Sequence, residues 1–485
     1  MAAPVRSVAV VGRDIAAVLI ALGVHRALAS VGVAVRLVEL PSALGPGQAV
    51  SALPSLGNLH ALLGLREEVL ATRCGRVPVM AQQFTGWSAT PFLHGYDVAR
   101  PAINDVDFVQ FWSLARRSGM RVPLDEFSLA AAAAKQGRVS GGGDAPAPGY
   151  HLDASAYAAL LREGCAAAGV TIDTTSSVQI EREGERIAAI QLADGQRIEA
   201  DFFVDASGAE RVLVGDAPFE SWAQWFPADR AFTAIAAPID PPPAFARIAA
   251  APDGWVGMFP LQRHIALAGH FAASGAGDEA DAHRMLDAAG IAGVQALTVR
   301  PFACGALRRS WIGNCVAVGE AAVALEELDA VELQVLQIAL STLVAWWPVD
   351  RDTMPEAVEY DRAIAGHVGN IRDFQLAHYV LSDRPEEMWR TARAAPPPER
   401  LAARLALFGA RGILPPYDDE TFSAQSWAAV LAGHGVVPAE SDPAVDRTPP
   451  DEQIGKVQRL LQLIAEQVRA MPDMAAHLAA RKAAR

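Results

Sequence analysis

The chain has three lysines in 485 residues, Lys135, Lys456 and Lys482. Chemistry that needs a lysine ammonium therefore has three places at which to occur. Cysteine is scarce as well: Cys74, Cys165, Cys304 and Cys315 form no CxxC pair. That excludes a thiol-pair zinc or redox motif and points to reduced, mostly buried thiols in a cytoplasmic protein. No GxSxG, HExxH or Walker loop is present, so the hydrolase, zinc-protease and phosphate-loop classes lack their signatures. The N-terminal MAAPVRSVAVVG lacks a signal-peptide layout and runs straight into a strand pattern. The stretch Leu333 to Trp347 is strongly apolar but holds two glutamines and a serine and is too short for a membrane span, so it reads as a buried helix. The formal charge of −14 argues against binding a nucleic-acid backbone, which rewards clustered Lys and Arg.

What is present fits a large globular protein. A hydrophobic content of 51 % with 20 % charged residues supplies enough apolar surface for more than one lobe. Residues 6–11 read as a buried strand, 15–30 as a helix and 33–40 as a second strand, the opening of a dinucleotide fold. A Gly/Pro-rich loop follows at 42–55. Residues 140–148 (SGGGDAPAP) read as a surface loop by composition. YHLDASAYAALLREGCAAAGV reads as an amphipathic helix, and 178–208 alternates like a meander ending in a buried strand. Strand-like segments, broken by the prolines at 241–243, continue to about 300. From about 350 the pattern is helical. The expected architecture is an α/β body over residues 1–350 with interleaved substrate-side elements, and a mostly helical C-terminal lobe over 351–485.

VVGRDIAA (10–17) occupies the fingerprint position between the first strand and helix. Gly12 and Ala17 fill the first and third fingerprint positions, but Asp14 replaces the second glycine, where backbone approaches a pyrophosphate. A carboxylate at about 5 Å from a phosphate repels it by about 3–4 kcal/mol at an effective dielectric near 20, before screening. Arg13 offsets part of that, and Glu39 fits the ribose-binding acid. FAD binding is therefore expected to be weak. A non-binding βαβ unit is the alternative reading of the same residues.

Further segments carry a family likeness: SALGPGQAVSALPS with Gly45, Gly47 and Gln48; ADFFVDASG with Asp205 and Gly208; GWVGMFP with Trp255 and Phe259; NCVAVGEAAVALEELDAVEL with Gly319 and Glu320; and RDFQLAHYVLSDRPEEMWR. Over nearly its whole length the chain resembles the flavin-dependent tryptophan halogenases, as a divergent member. The resemblance implies an FAD/NAD(P)-binding α/β fold of the flavoprotein monooxygenase and halogenase type. It also implies a partner flavin reductase, an indole or other aromatic substrate, and a bound halide. In that family hypohalous acid travels from the flavin to an essential lysine beside the substrate, and a glutamate there orients the reagent.

Residue by residue, the resemblance places Val79 at the lysine position, eight residues before Trp87, and Asp329 at the glutamate position. Ala330 and Val331 stand where the family has Ser and Thr. Glu332 falls in the turn that binds halide, which leaves that site compromised, because halide sites rely on converging N–H groups and positive potential. Val323 replaces a glycine beside the flavin. Gly257 replaces a second tryptophan of the WxWxIP signature and is expected to open space. His94, in FLHGY, matches a family histidine near the substrate, although a core histidine is an equal reading. Glu326, Asp329 and Glu332 are expected to share a helix face at i, i+3, i+6 spacing, a conceivable carboxylate site, but no histidine motif accompanies them and no metal is expected. The leading expectation is a halogenase-like protein that is not a competent tryptophan halogenase. The alternatives are an active FAD-dependent halogenase or monooxygenase on an aromatic substrate, and a flavin-free binding or regulatory protein.

Overall fold

The computed structural model describes residues 3–97, 102–140 and 146–483. The chain divides into two compact units, each assembled from three separated segments. One comprises residues 1–76, 152–223 and 303–369; the other comprises 77–151, 224–302 and 370–485. A single cut at residue 350 therefore does not match the grouping. The C-terminal helices belong with two earlier segments, because strands and helices that are distant in sequence share one core.

The first unit is built on a six-stranded sheet. From one edge its strands are Trp311–Ile312, Cys315–Ala317, Phe202–Ala206, Ser7–Gly12, Ala34–Glu39 and Thr171–Thr174. The last five run parallel. Apolar runs such as VAVV suit strands that are buried on both faces. Gly12 is fixed by packing: a Cβ there would lie 2.2 Å from the carbonyl oxygen of Ala206 on the neighbouring strand. The helix Asp14–Leu28 returns across the sheet and packs on the helices Ala154–Ala168 and Glu332–Ala345. Among the described residues, Asp14–Val31 is long and apolar enough to cross a membrane. Its position between the sheet and two helices accounts for that apolarity, because a helix buried on several sides needs apolar residues all round. The helix expected from Tyr150 begins only at Ala154. Residues Gly149–Asp153 form a strand, and the Asp153 carboxylate caps the helix by accepting from the Ala156 N–H at 2.8 Å.

The second unit holds a seven-stranded sheet in the order Gln295–Pro301, Arg230–Ala236, Ile265–Phe271, Gly254–Pro260, Phe245–Ala251, Ala81–Thr85 and Phe92–Gly95. Only the pairing of Phe245–Ala251 with Ala81–Thr85 is parallel. Strand alternation divides its two faces. One face, with Phe232, Val256, Leu267 and Phe271, packs on Ala282, Met285 and Leu286 of the helix Asp278–Ala288. The other face is aromatic. The expected loop at 140–148 lies largely outside the described residues, since 141–145 are not described.

Candidate functional site

In the first unit the strand Ser7–Gly12 passes through Arg13 into the helix Asp14–Leu28, where a dinucleotide fingerprint is expected, and the side chains around that turn hold polar partners. Asp14 takes a left-handed conformation, φ +54°, at the position where the fingerprint uses glycine. Its carboxylate reaches the loop after the second strand and accepts from the Ala43 N–H at 2.9 Å. Glu39 is engaged by the Arg162 guanidinium at 2.8 Å, and Arg13 pairs with Glu210 through two bonds of 3.0 and 2.7 Å. These obstacles are unequal. Arg162 and Glu210 are more than a third exposed, and such surface pairs contribute about 0–1 kcal/mol, so a ligand displaces them cheaply. Asp14 is different, because its charge stays at the point of approach whatever partner it holds.

The other residues expected at the cofactor are placed as follows in the same unit. Ala17 is fully buried in the first helical turn. Gly47 is left-handed, and the turn at Gly45–Gln48 closes on the Gln48 side chain, whose oxygen accepts from the Gly45 N–H at 3.1 Å. Asp205 is fully buried and accepts from the Ser207 hydroxyl and the N–H groups of Ser207, Leu213 and Val214. Burial pushes its pKa up and these four donors oppose the shift. Its carboxylate therefore ties down the turn that begins at Ser207. Gly208 and Gly319 are both left-handed, and a Cβ at Gly208 would come 3.8 Å from the Glu320 carboxylate. Val323 is buried in the short strand Val323–Ala324.

Glu326 and Asp329 are both fully buried, but the stretch between Val323–Ala324 and the helix starting at Glu332 is not helical. The shared helix face is thus corrected: two consecutive left-handed residues, Asp329 (φ +61°) and Ala330 (φ +58°), break the spacing. No cluster of three or more His, Cys, Asp or Glu in metal-holding geometry occurs among the described residues. The backbone passes from left-handed Ala330 to right-handed Val331 (φ −89°, ψ −10°), the kind of reversal that turns successive N–H groups toward one point. Glu332 then occupies the first helical turn, where a carboxylate complements the positive end of the helix. The local potential available to an anion is lowered by the same charge.

In the second unit Val79 lies in the strand Val77–Val79, opposite Gly149, and is 1 % exposed. Trp87 is fully buried, with its indole N–H donated to the Ile248 carbonyl at 3.2 Å. His94, Trp255 and Phe259 all fall on the aromatic face of the seven-stranded sheet, as their registers through Ala81–Thr85 and Phe245–Ala251 require. The His94 ring lies 5.5 Å from Phe374 and 6.1 Å from Phe422, which stack on each other at 3.7 Å. The space expected at Gly257 is not open: a Cβ there would lie 2.5 Å from Cε2 of Phe259. The Phe259 ring has folded over the glycine and filled the volume.

Two features here were not visible beforehand. Arg162 and Glu210 hold Glu39 and Arg13 from remote positions in the chain, and nothing in local sequence announces such pairs. Gln82 is fully buried on the aromatic face, while Gln83 beside it is only partly buried. Two adjacent glutamines give no alternation by which to tell them apart.

Against this geometry, residues 7–450 match the family model described as tryptophan halogenase. The chain belongs to the tryptophan halogenase family. Curated relatives include the tryptophan 7-halogenase KtzQ of Kutzneria sp. (strain 744), 26 % identical over 445 residues covering 84 % of this chain and 82 % of that protein. Among solved structures, BrvH, a flavin-dependent halogenase from Brevundimonas sp. BAL3, superposes with a TM-score of 0.91 at 27 % identity, covering 98 % of this chain and 99 % of its own. Xcc4156, a flavin-dependent halogenase from Xanthomonas campestris, gives 0.92 at 26 % identity with 99 % of both chains covered. This family member thus shares the fold of flavin-dependent halogenases.

Proposed function

We propose that this flavin-dependent halogenase-like protein does not chlorinate or brominate free tryptophan. The observation that supports the reading is Val79: the residue that the family resemblance assigns to the reagent-lysine position is a buried valine in a strand. A valine side chain neither donates a hydrogen bond nor carries an activated halogen. Asp329 holds a carboxylate at the family's glutamate position but one methylene shorter, about 1.5 Å of reach. When bound, FAD would supply the oxidising chemistry; the residues facing it would be Gly12, Arg13, Asp14, Glu39 and the Gly45–Gln48 turn. The backbone there fits a dinucleotide and Asp14 does not, so FAD binding is weak in this reading and no reaction step is assigned through it. A flavin-free role as a binding or regulatory protein draws on the same contact, because Asp14 already bonds the loop a cofactor would need.

The test is reconstitution with a flavin reductase, FAD, NADH, oxygen, tryptophan, and chloride or bromide. The expected result is no halotryptophan by mass spectrometry. A regioselective product that disappears in Asp329→Ala overturns the proposal.

A further inference from the structure

Gln82 is 0 % exposed, and among the described residues neither its Nε2 nor its Oε1 has a hydrogen-bond partner. Buried amides are almost always satisfied, so a wholly orphaned one calls for a specific explanation. Its place in the sheet supplies one. Gln82 pairs directly with His94 on one side and with Ala246 on the other. Direct partners project from the same face, about 5 Å apart at Cβ. The amide therefore lies on the same face as the His94 ring, which meets the mutually stacked rings of Phe374 and Phe422 at an angle, and next to a residue with almost no side chain. A buried amide with a free donor and a free acceptor side by side recognises a particular edge: a carbonyl and an N–H on adjacent atoms.

We infer that Gln82 is a specificity-determining residue that selects aromatic ligands bearing a cis-amide edge, such as a lactam fused to a ring, over a simple indole. An indole offers one N–H and leaves the Gln82 Nε2 unsatisfied, whereas a ring lactam closes both bonds. The inference rests on the aromatic substrate that the family resemblance implies, and it narrows the class of that ligand.

The experiment measures binding to the flavin-free full chain, by titration calorimetry and by quenching of tryptophan fluorescence. Three probes are compared: 2-quinolone, N-methyl-2-quinolone and naphthalene. Wild type should bind 2-quinolone at least about tenfold more tightly than either control, the scale expected when a site built to hydrogen-bond loses its partner. Gln82→Leu should bring that ratio close to unity, and should melt no lower than wild type, because it removes an unsatisfied amide. If Gln82→Leu does not fold, Gln82→Met serves the same purpose. A wild-type ratio below about tenfold, no binding of 2-quinolone, or a ratio kept in the apolar variant each overturns the inference. Because neither flavin nor halide is present, these outcomes do not bear on halogenation. A halotryptophan product would in turn overturn the proposed function and leave the amide preference standing.

Discussion

The nucleotide end of the first unit and the aromatic face of the second treat polar groups in opposite ways. Around Gly12 the side chains engage one another: Asp14 with Ala43, Glu39 with Arg162, Arg13 with Glu210. On the aromatic face the Gln82 amide has no hydrogen-bond partner among the described residues. Self-satisfied groups gain little from a ligand, since binding must first break what they have. An orphaned group gains the full hydrogen bond, since its desolvation cost is already present in the free protein. The contrast teaches that polar groups can be satisfied to very different degrees in two units of one chain that keeps its family fold.

The comparison breaks most visibly if lysine alone restores chemistry. Val79→Lys should give no detectable halogenation of tryptophan or free indoles, and should lower stability by several kcal/mol, because the strand encloses a charge without a placed partner. Mass spectrometry and thermal melts measure the two effects. Asp14→Gly, Val79→Lys, Asp329→Glu and Glu332→Gly together should exceed every single change, since groups acting as a unit are non-additive. Robust turnover by Val79→Lys alone would show that the self-engaged cradle and Glu332 are harmless.

Next in size is flavin affinity. Asp14→Gly removes a carboxylate from the approach and frees a left-handed position from a side chain, so FAD should bind at least about tenfold more tightly, allowing for screening of the Coulomb term. Arg162→Ala should change affinity by only about threefold, as a half-exposed pair permits. Fluorescence titration of FAD orders the two; a larger effect from Arg162→Ala would invert the weighting of the obstacles. Wild-type protein purified with about one flavin per chain would remove the case for a plugged cradle.

The smallest effect compares the units by pH. Burial lowers the pKa of His60 in the first unit to about 4, with Arg76 adding to the shift. Burial also lowers His151 in the second unit to about 4, despite its bond to the Pro260 carbonyl. Both folded values lie below the unfolded value of 6.5, so the stability they confer is complete above that pH and is lost as pH falls toward 4. Melting temperature should decline over that window. Replacing either histidine with phenylalanine should flatten part of the decline; an unchanged profile in both variants would show that neither histidine is held neutral.

Much of the fold was readable because its signals are local and repeated. The βαβ opening, the meander at 178–208 and the helical C-terminal run all follow from apolar period and turn residues. The start of the helix after Asp153 was missed because Tyr150–Asp153 continues an apolar pattern that suits either state, and only the Asp153 cap decides it. The site was less readable. Loss of a ring at Gly257 reads as an opening, yet Phe259, two residues on and on the same strand face, fills it. The carboxylates at 326, 329 and 332 read as one helix face, yet two left-handed residues intervene. In both cases the deciding fact is where a neighbour's atoms go, and single positions do not encode that.

The Asp329–Ala330 turn bears on how readily this stretch could take the residues that the family resemblance implies. Left-handed backbone costs a non-glycine residue about 1–2 kcal/mol, and here two in succession carry it without a glycine. That cost is already present, and Ala330→Ser would inherit it unchanged. Asp329→Glu adds a methylene at a fully buried position, about 1–3 kcal/mol of overpacking, and loses the tolerance that short polar side chains have for this conformation. Successive replacements toward the family's residues would thus meet their steepest step at a single side chain, on a backbone that needs no new shape to receive it.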